Sequence, residues 1–311
     1  MKQTGFLRNL VGAVGVTSLA VLAQAAAPAK SSQRAFPSAR AAAEALVAAA
    51  EKFDIAALKE ILGPDGEDLV VTEDAVADRN QAAAFAAKAR EKLAVVTSPT
   101  DPKAATLVIG ADEWPAPIPI VEVGGTWQFD SKAGRQEVLY RRIGRNELDA
   151  IEVCREYVHA QHQYATERHD GSRVNQYAQR VISTPGRHDG LAWQAPDGTW
   201  QGPLGDRAAR AITEGYSERS QPYRGYHFKI LKGQGPHAQL GEVDFVVQGA
   251  MIGGFALVAA PADYEVTGVK TFIVSHDGVV FEKDLGPETL AAFRAMERFD
   301  PDESWVPVQE P

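Results

Sequence analysis

The chain has 311 residues and a single cysteine, Cys154. One thiol leaves the chain without an internal disulfide, so its stability rests on core packing. Cys154 falls on the apolar face of a helical pattern, where a free thiol packs as a small hydrophobe. Basic residues are also short: 32 Lys and Arg stand against 41 Asp and Glu, for a net charge of −9. That balance excludes general nucleic-acid binding, which needs basic surface to displace counterions from phosphates. It gives no hold on an anionic membrane either. No G-x-S-x-G elbow, S-x-x-K, His-Glu-x-x-His or Cys-x-x-Cys occurs. No long-period repeat is present. The sequence therefore assigns no catalytic residue, no metal ligand and no cofactor.

What is present begins at the N-terminus. Lys2 and Arg8 make a positive start with no acidic residue, Leu10 to Ala23 form an apolar run, and Ala23-Gln24-Ala25 is a small-x-small cleavage site. This order is that of a secretory signal peptide over residues 1–25. The run is shorter than the roughly 20 apolar residues of a membrane span, so no span is expected after cleavage. No Cys follows the cleavage site, which argues against a lipoprotein. Residues 26–35 read as a flexible leader. The expected location is periplasmic or secreted. Removing Lys2 and Arg8 leaves the remainder two charges more negative than the whole. A hydrophobic content of 45% and a charged content of 23% fit a globular protein with room for two domains.

Ser38 can cap a helix running to about Lys52, and Asp54 a second over 55–62, ended by Gly63. Asp78 can open a third, to about Leu93. The period then changes: 105–110, 118–123 and 126–129 read as strands of a meander. A helix from Ser131 to about Arg142 and another capped by Asn146 follow. In the latter, Leu148, Ile151, Cys154, Val158 and Ala165 recur at helical spacing. Residues 184–225 are rich in Gly, Pro and polar side chains, with a short helix near 206–214. Segments 226–231, 244–247, 255–260, 269–275 and 279–283 read as strands, with His276-Asp277-Gly278 as a hairpin loop. The expected fold class is α+β. Two domains are expected, 36–145 and 146–311, each with helices on one face of an antiparallel sheet whose other face is wet.

The strings FPSARAAAEALVAAA (36–50), WPAPIPIVEVGGTWQFD (114–130), RRIGRNELDAI (141–151), GRHDGLAW (186–193) and the stretch 251–286 closely resemble the bacterial domain-of-unknown-function family 2950. The resemblance covers almost all of the chain after the leader. It implies an exported bacterial protein and supplies no mechanism. Tyr157, Ala160-Gln161 and Tyr164, followed by GYHFKI (225–230) and TGVKTFIVSHDGVVFE (267–282), look like the globular part of type IV pilins and pseudopilins. That implies a helix laid on an antiparallel meander for the C-terminal domain. The polar start Asn146-Glu147-Leu148-Asp149 departs from an apolar pilin anchor, so assembly into a pilus is not implied. FDIAALKEIL (53–62) looks like the opening of cone-shaped folds of the nuclear-transport-factor type, which would put a pocket inside a curved sheet.

Arg141, Arg142, Arg145, Asn146 and Glu147 gather at the expected domain junction. Guanidinium groups beside a helix start suit a carboxylate or phosphate ligand; the same groups can lock two domains together. Trp193 and Tyr226, with Trp200, Tyr216 and Tyr223, lie in or beside the polar middle stretch, and such residues stack on sugars or anchor interfaces. The alternative is that they pin a long loop to the sheet. Glu156, His159 and His162 share a helix but lack zinc-helix spacing. Arg168-His169-Asp170-Gly171-Ser172 has too few carboxylates for calcium. Gly233, Gly235 and Gly241 lie between strands, unlike a phosphate cradle. The expected function is a non-enzymatic envelope binding or assembly module that meets a protein or glycan. The alternative is an envelope hydrolase or small-ligand binder using the interdomain Arg and His residues.

Overall fold

The computed structural model describes residues 33–71, 75–204 and 224–309. The expected signal peptide, most of the leader and the expected helix near 206–214 lie outside these residues. The described chain starts three residues before Phe36. The Gln33 side-chain amide donates to the Ile61 and Phe129 carbonyls at 3.1 and 2.6 Å.

Helix α1 spans Ala39–Lys52, and its cap Ser38 accepts from the Ala41 N–H. Its buried face is mostly alanine, with Leu46, so neighbouring helices approach closely. Phe53 takes a left-handed conformation and turns the chain into α2, Ile55–Leu62, which Asp54 caps. After a 3-10 turn at Pro64–Leu69 comes α3, Ala75–Glu91. A meander follows: β1 (Leu93–Thr97), β2 (Ala104–Ile109), β3 (Trp114–Pro115), β4 (Ile120–Val123) and β5 (Thr126–Phe129). All pairings are antiparallel, in the order β1-β2-β4-β5, with β3 also on β2. β1 was not expected; LAVVT has no polar alternation to mark it. Ala105, Leu107 and Ile109 point to the core and their neighbours stay partly exposed, as a one-sided sheet requires.

The two helices expected around residue 145 are one. Helix α4 spans Ser131–Tyr164, 34 residues, roughly 50 Å at 1.5 Å per residue. Asn146 does not cap a helix start; its side-chain amide donates to the Thr267 carbonyl at 2.8 Å. Local capping preference gives way to this tertiary bond. α4 joins two separate hydrophobic clusters. One holds residues from Phe36 to Phe129, the other from Ala150 to Trp305. Its first turn is tied to the former by the Ser131 hydroxyl, which donates to the Leu62 carbonyl at 2.7 Å.

Three short ladders pair β6 (Trp193–Gln194) with β7 (Trp200–Gln201), β9 (Gly233–Gln234) with β10 (Val243–Asp244), and β11 (Val246–Val247) with β12 (Ala250–Met251). The expected strand 244–247 is thus split. The main sheet contains β8 (Tyr226–Leu231), β13 (Ala256–Pro261), β14 (Lys270–Ser275), β15 (Val280–Asp284) and β16 (Val306–Pro307). Its antiparallel order is β16-β15-β14-β13-β8. Short helix α5, Thr289–Ala295, follows a 3-10 turn.

Phe228, Ala259 and Phe272 are register partners and share a face. Phe272 lines a groove with Ile151, which puts α4 on that face. Lys229 points the other way and its ammonium donates to the Phe293 carbonyl of α5 at 2.6 Å. Both faces of this sheet are therefore covered, and every residue of β13 is buried. The expectation of one wet face fails here, because ALVAAP is a continuous apolar run, the mark of a two-sided strand. The chain is α+β, with two regions of helices packed on sheets.

Candidate functional site

The junction residues are used internally. The Arg141 guanidinium donates to Glu137 and to the Pro115 carbonyl, both at 2.7 Å, and lies over the Trp114 ring. Arg142 donates to the Val266 carbonyl at 3.3 Å. Glu147 Oε1 accepts the Val269 and Lys270 N–H groups at 2.9 and 3.0 Å. Thus Arg141 grips the N-terminal region, while Arg142, Asn146 and Glu147 grip the loop before β14. Arg145 is exposed and makes no hydrogen bond or ion pair among the described residues.

The two aromatic candidates part company. Tyr226 is 1% exposed and its hydroxyl donates to the Lys270 carbonyl at 2.8 Å. Burial, then the Glu147 charge, pushes its phenol far up. Trp193 is partly exposed, and its ring centroid lies 4.3 Å from that of His188. Trp200 packs against the C-terminal core. Tyr216 and Tyr223 lie outside the described residues.

His188 leads to an arrangement the sequence reading passed over. Arg168-His169-Asp170-Gly171 and Arg187-His188-Asp189-Gly190 are the same tetrapeptide, and the fold interlocks them. Asp170 accepts the His188 N–H at 2.9 Å and lies 3.6 Å from the Arg187 guanidinium. Tyr164, at the end of α4, donates its hydroxyl to the His188 carbonyl at 2.7 Å, and its ring stacks on His169 at 3.9 Å. Burial, then the Asp170 and Asp189 charges, pushes the Tyr164 phenol up to about 12, so it stays a donor. Burial raises the Asp189 carboxyl. The bonds from the Thr184 N–H and hydroxyl, with the charges of Arg180 and Arg187, outweigh it and hold the group below the usual carboxylate range. Exact repetition of a tetrapeptide was the signal available; a third His-Asp-Gly, at 276–278, forms the β14–β15 turn.

These segments border a cleft of about 620 Å³, closed on the far side by the β11–β12 turn at Gln248-Gly249. Asp170 and Gln248 have positive φ, 49° and 51°. Non-glycine residues hold that conformation only where the surroundings fix it. The lining mixes Arg173, Arg187, Asp170, Asp189 and Gln176. Arg173 is exposed and makes no hydrogen bond or ion pair among the described residues. The cleft can thus present a guanidinium fork beside carboxylate and amide acceptors.

Residues 33–308 match the family described as Protein of unknown function (DUF2950). The chain belongs to that family. The matched span of this DUF2950 protein contains the junction, both interlocked tetrapeptides and the cleft. No curated protein and no solved structure matches it. Among its described residues no helix is long and apolar enough to cross a membrane, and no group of three or more His, Cys, Asp or Glu is placed to hold a metal ion.

Proposed function

We propose that this DUF2950 protein is an exported, non-enzymatic binding module of the bacterial envelope, acting in the periplasm or outside the cell. Its C-terminal domain, from about residue 146, is read as pilin-like, since helix α4 lies along one face of an antiparallel meander. Its ligand is a glycan carrying carboxylate groups, bound in the cleft between the two Arg-His-Asp-Gly segments. The observation that carries this reading is Arg173: an exposed guanidinium with no described partner, lining a cleft whose other charged groups are already braced. Arg forks match carboxylates in a two-bonded geometry, and the carboxylate and amide acceptors beside it suit sugar hydroxyls. Trp193, beside His188, offers a partly exposed ring next to the same segment.

The test is calorimetric titration of the protein with a uronic-acid tetrasaccharide and with its neutral counterpart. Saturable binding of the acidic sugar, weakened at least tenfold in Arg173→Ala, is expected. Equal binding of both sugars, or an unchanged Arg173→Ala, would reject the cleft. Intact mass of envelope-purified protein beginning at Ala26 tests export.

The second reading rests on Arg145, exposed at the junction while Arg141 and Arg142 are engaged. It makes the junction a small-anion site, and Arg145→Ala would then abolish binding without lowering the melting temperature.

A further inference from the structure

The two edges of the N-terminal sheet are not alike. At the β5 edge, Phe36 exchanges both main-chain hydrogen bonds with Trp127, each at 2.8 Å, so the chain caps its own sheet. The opposite edge is β1. There the Gly110 N–H donates to the Lys92 carbonyl at 3.1 Å, and the Ser98 N–H to the Ala104 carbonyl at 2.8 Å. Residues of an antiparallel strand alternate between bonding the neighbour and facing away from it. Ala94 and Val96 are therefore the residues that bond β2. The main-chain N–H and C=O groups of Leu93, Val95 and Thr97 point outward, and among the described residues they have no partner.

Edge strands are ordinarily blunted by Lys, Pro, a bulge or a covering element. LAVVT contains neither Lys nor Pro, and its register with β2 runs without a bulge. The Lys92 ammonium just before it turns back to Glu113 of its own chain. Val96 is 52% exposed. Such an edge accepts an added strand.

We propose that the added strand is β1 of a second copy, paired antiparallel about Val95. Val95 then meets Val95, and Leu93 meets Thr97, so each outward group of one copy finds one on the other. Ala94 comes opposite Val96 and covers it. Lys92 comes opposite Ser98, so no like charges are opposed. The contact is two-fold and closes on itself, and the joined sheet ends on both sides at the edge that Phe36 caps. Five residues of strand bury less than the roughly 1,000 Å² of a stable interface. Helix α3 adds the remainder. It packs on α1 and β2, next to the open edge, and its outward residues Val76, Ala83, Ala84 and Ala87 are exposed. The two-fold axis stands perpendicular to the sheet, which leaves the helices of both copies on one face and brings α3 beside α3. This surface lies apart from the glycan cleft, and neither reading depends on the other.

Sedimentation equilibrium of the full chain without residues 1–25 tests the proposal. Twice the chain mass is expected at micromolar concentration, falling to the single mass on dilution. Val96→Lys should weaken association at least hundredfold with an unchanged far-UV spectrum, because that side chain is exposed in the single copy. Thr97→Pro removes an outward N–H and no bond to β2, and should act likewise. Val95→Cys should link two copies on mild oxidation, since bonded antiparallel partners stand about 5.5 Å apart at Cα, within disulfide range. Thr97→Cys, away from the axis, should not. Cys154 is buried and does not compete. A single mass at all micromolar concentrations, a dimer as tight in Val96→Lys, or linking through Thr97→Cys and not Val95→Cys would overturn the proposal.

Discussion

The carboxylate of Asp170 accepts the backbone N–H of His188 at 2.9 Å, so one Arg-His-Asp-Gly segment serves as the brace for the other. The same carboxylate faces the Arg187 guanidinium at 3.6 Å. Hydrogen bonds to charged groups contribute about 1.5–3 kcal/mol, and partial exposure brings this one to the lower end. Asp170→Ala should therefore lower stability by about 1–2 kcal/mol. It should also speed hydrogen exchange at His188 more than at residues of β13. Uniform acceleration across the chain would show that the two segments are not a local unit.

Two glycines of α4 should respond oppositely to alanine. At Gly144 an added Cβ meets nothing within 4 Å, and glycine inside a helix costs about 1 kcal/mol relative to alanine. Gly144→Ala should stabilise by roughly 0.5–1 kcal/mol. At Gly134 an added Cβ would lie 2.7 Å from the Ile118 side chain and 3.0 Å from its Cα. Gly134→Ala should destabilise by about 1–3 kcal/mol through overpacking. Denaturant melts of both variants decide, and a stabilised Gly134→Ala would contradict the close approach of α4 to Ile118.

Much of the backbone was legible because local signals and tertiary demands agree. Ser38, Asp54 and Gly63 stand where helices start or stop, and Asp130 accepts from Ala133 ahead of Ser131. The turn at 276–278 joins β14 to β15 as its sequence implies. The failures have specific causes. Asn146 is a good cap by itself, yet its amide is spent on Thr267, and the helix runs through it. β1 and β13 lack alternation, which hides a strand in one case and a second covered face in the other. The site was less legible than the fold. Arg141 and Glu147 read as ligand groups, but Arg141 donates to the Pro115 carbonyl as well as to nearby Glu137, and Glu147 accepts from main-chain groups far along the chain, contacts visible only once the chain is folded. The cleft draws on residues 164–189 and 247–252, which no local pattern links.

Cys154 should be inert in the folded protein. Its side chain is fully buried, and burial pushes the thiol up to about 12, leaving almost no thiolate at neutral pH. A disulfide reagent such as DTNB should label it only after unfolding in guanidinium. Labelling of the native protein within minutes would mean that α4 separates from the sheet on that timescale.

The pair formed by His237 and Asp300 should make stability depend on pH. His237 Nδ1 lies 3.0 Å from Asp300 Oδ2, and the Asp300 hydrogen bond, then its charge, raises the imidazole above its usual value. The sign follows from that direction. The contribution is complete below about pH 6.5, where His237 is protonated in the folded and unfolded chain alike. It fades as pH rises through the folded value. Proton NMR titration should show His237 above the unperturbed range, and Asp300→Asn should return it there. An unmoved value in that variant would assign the shift elsewhere.

Because a single unbroken helix packs in the C-terminal hydrophobic cluster and is tied at its first turn to Leu62 of the N-terminal one, helical phase governs how the two halves face each other. Each residue of an α-helix adds roughly 100° of rotation and 1.5 Å of advance. One residue inserted beside Gly144 would leave each core's own sequence untouched. It would rotate Asn146 and Glu147, with the loop at 266–270 that they hold, relative to Arg141 on Pro115 and to Arg142, so Arg142 would lose the Val266 carbonyl. An insertion across the middle of α4 therefore changes how the halves face each other where a substitution does not: the helix works as a keyed shaft on which both halves are indexed.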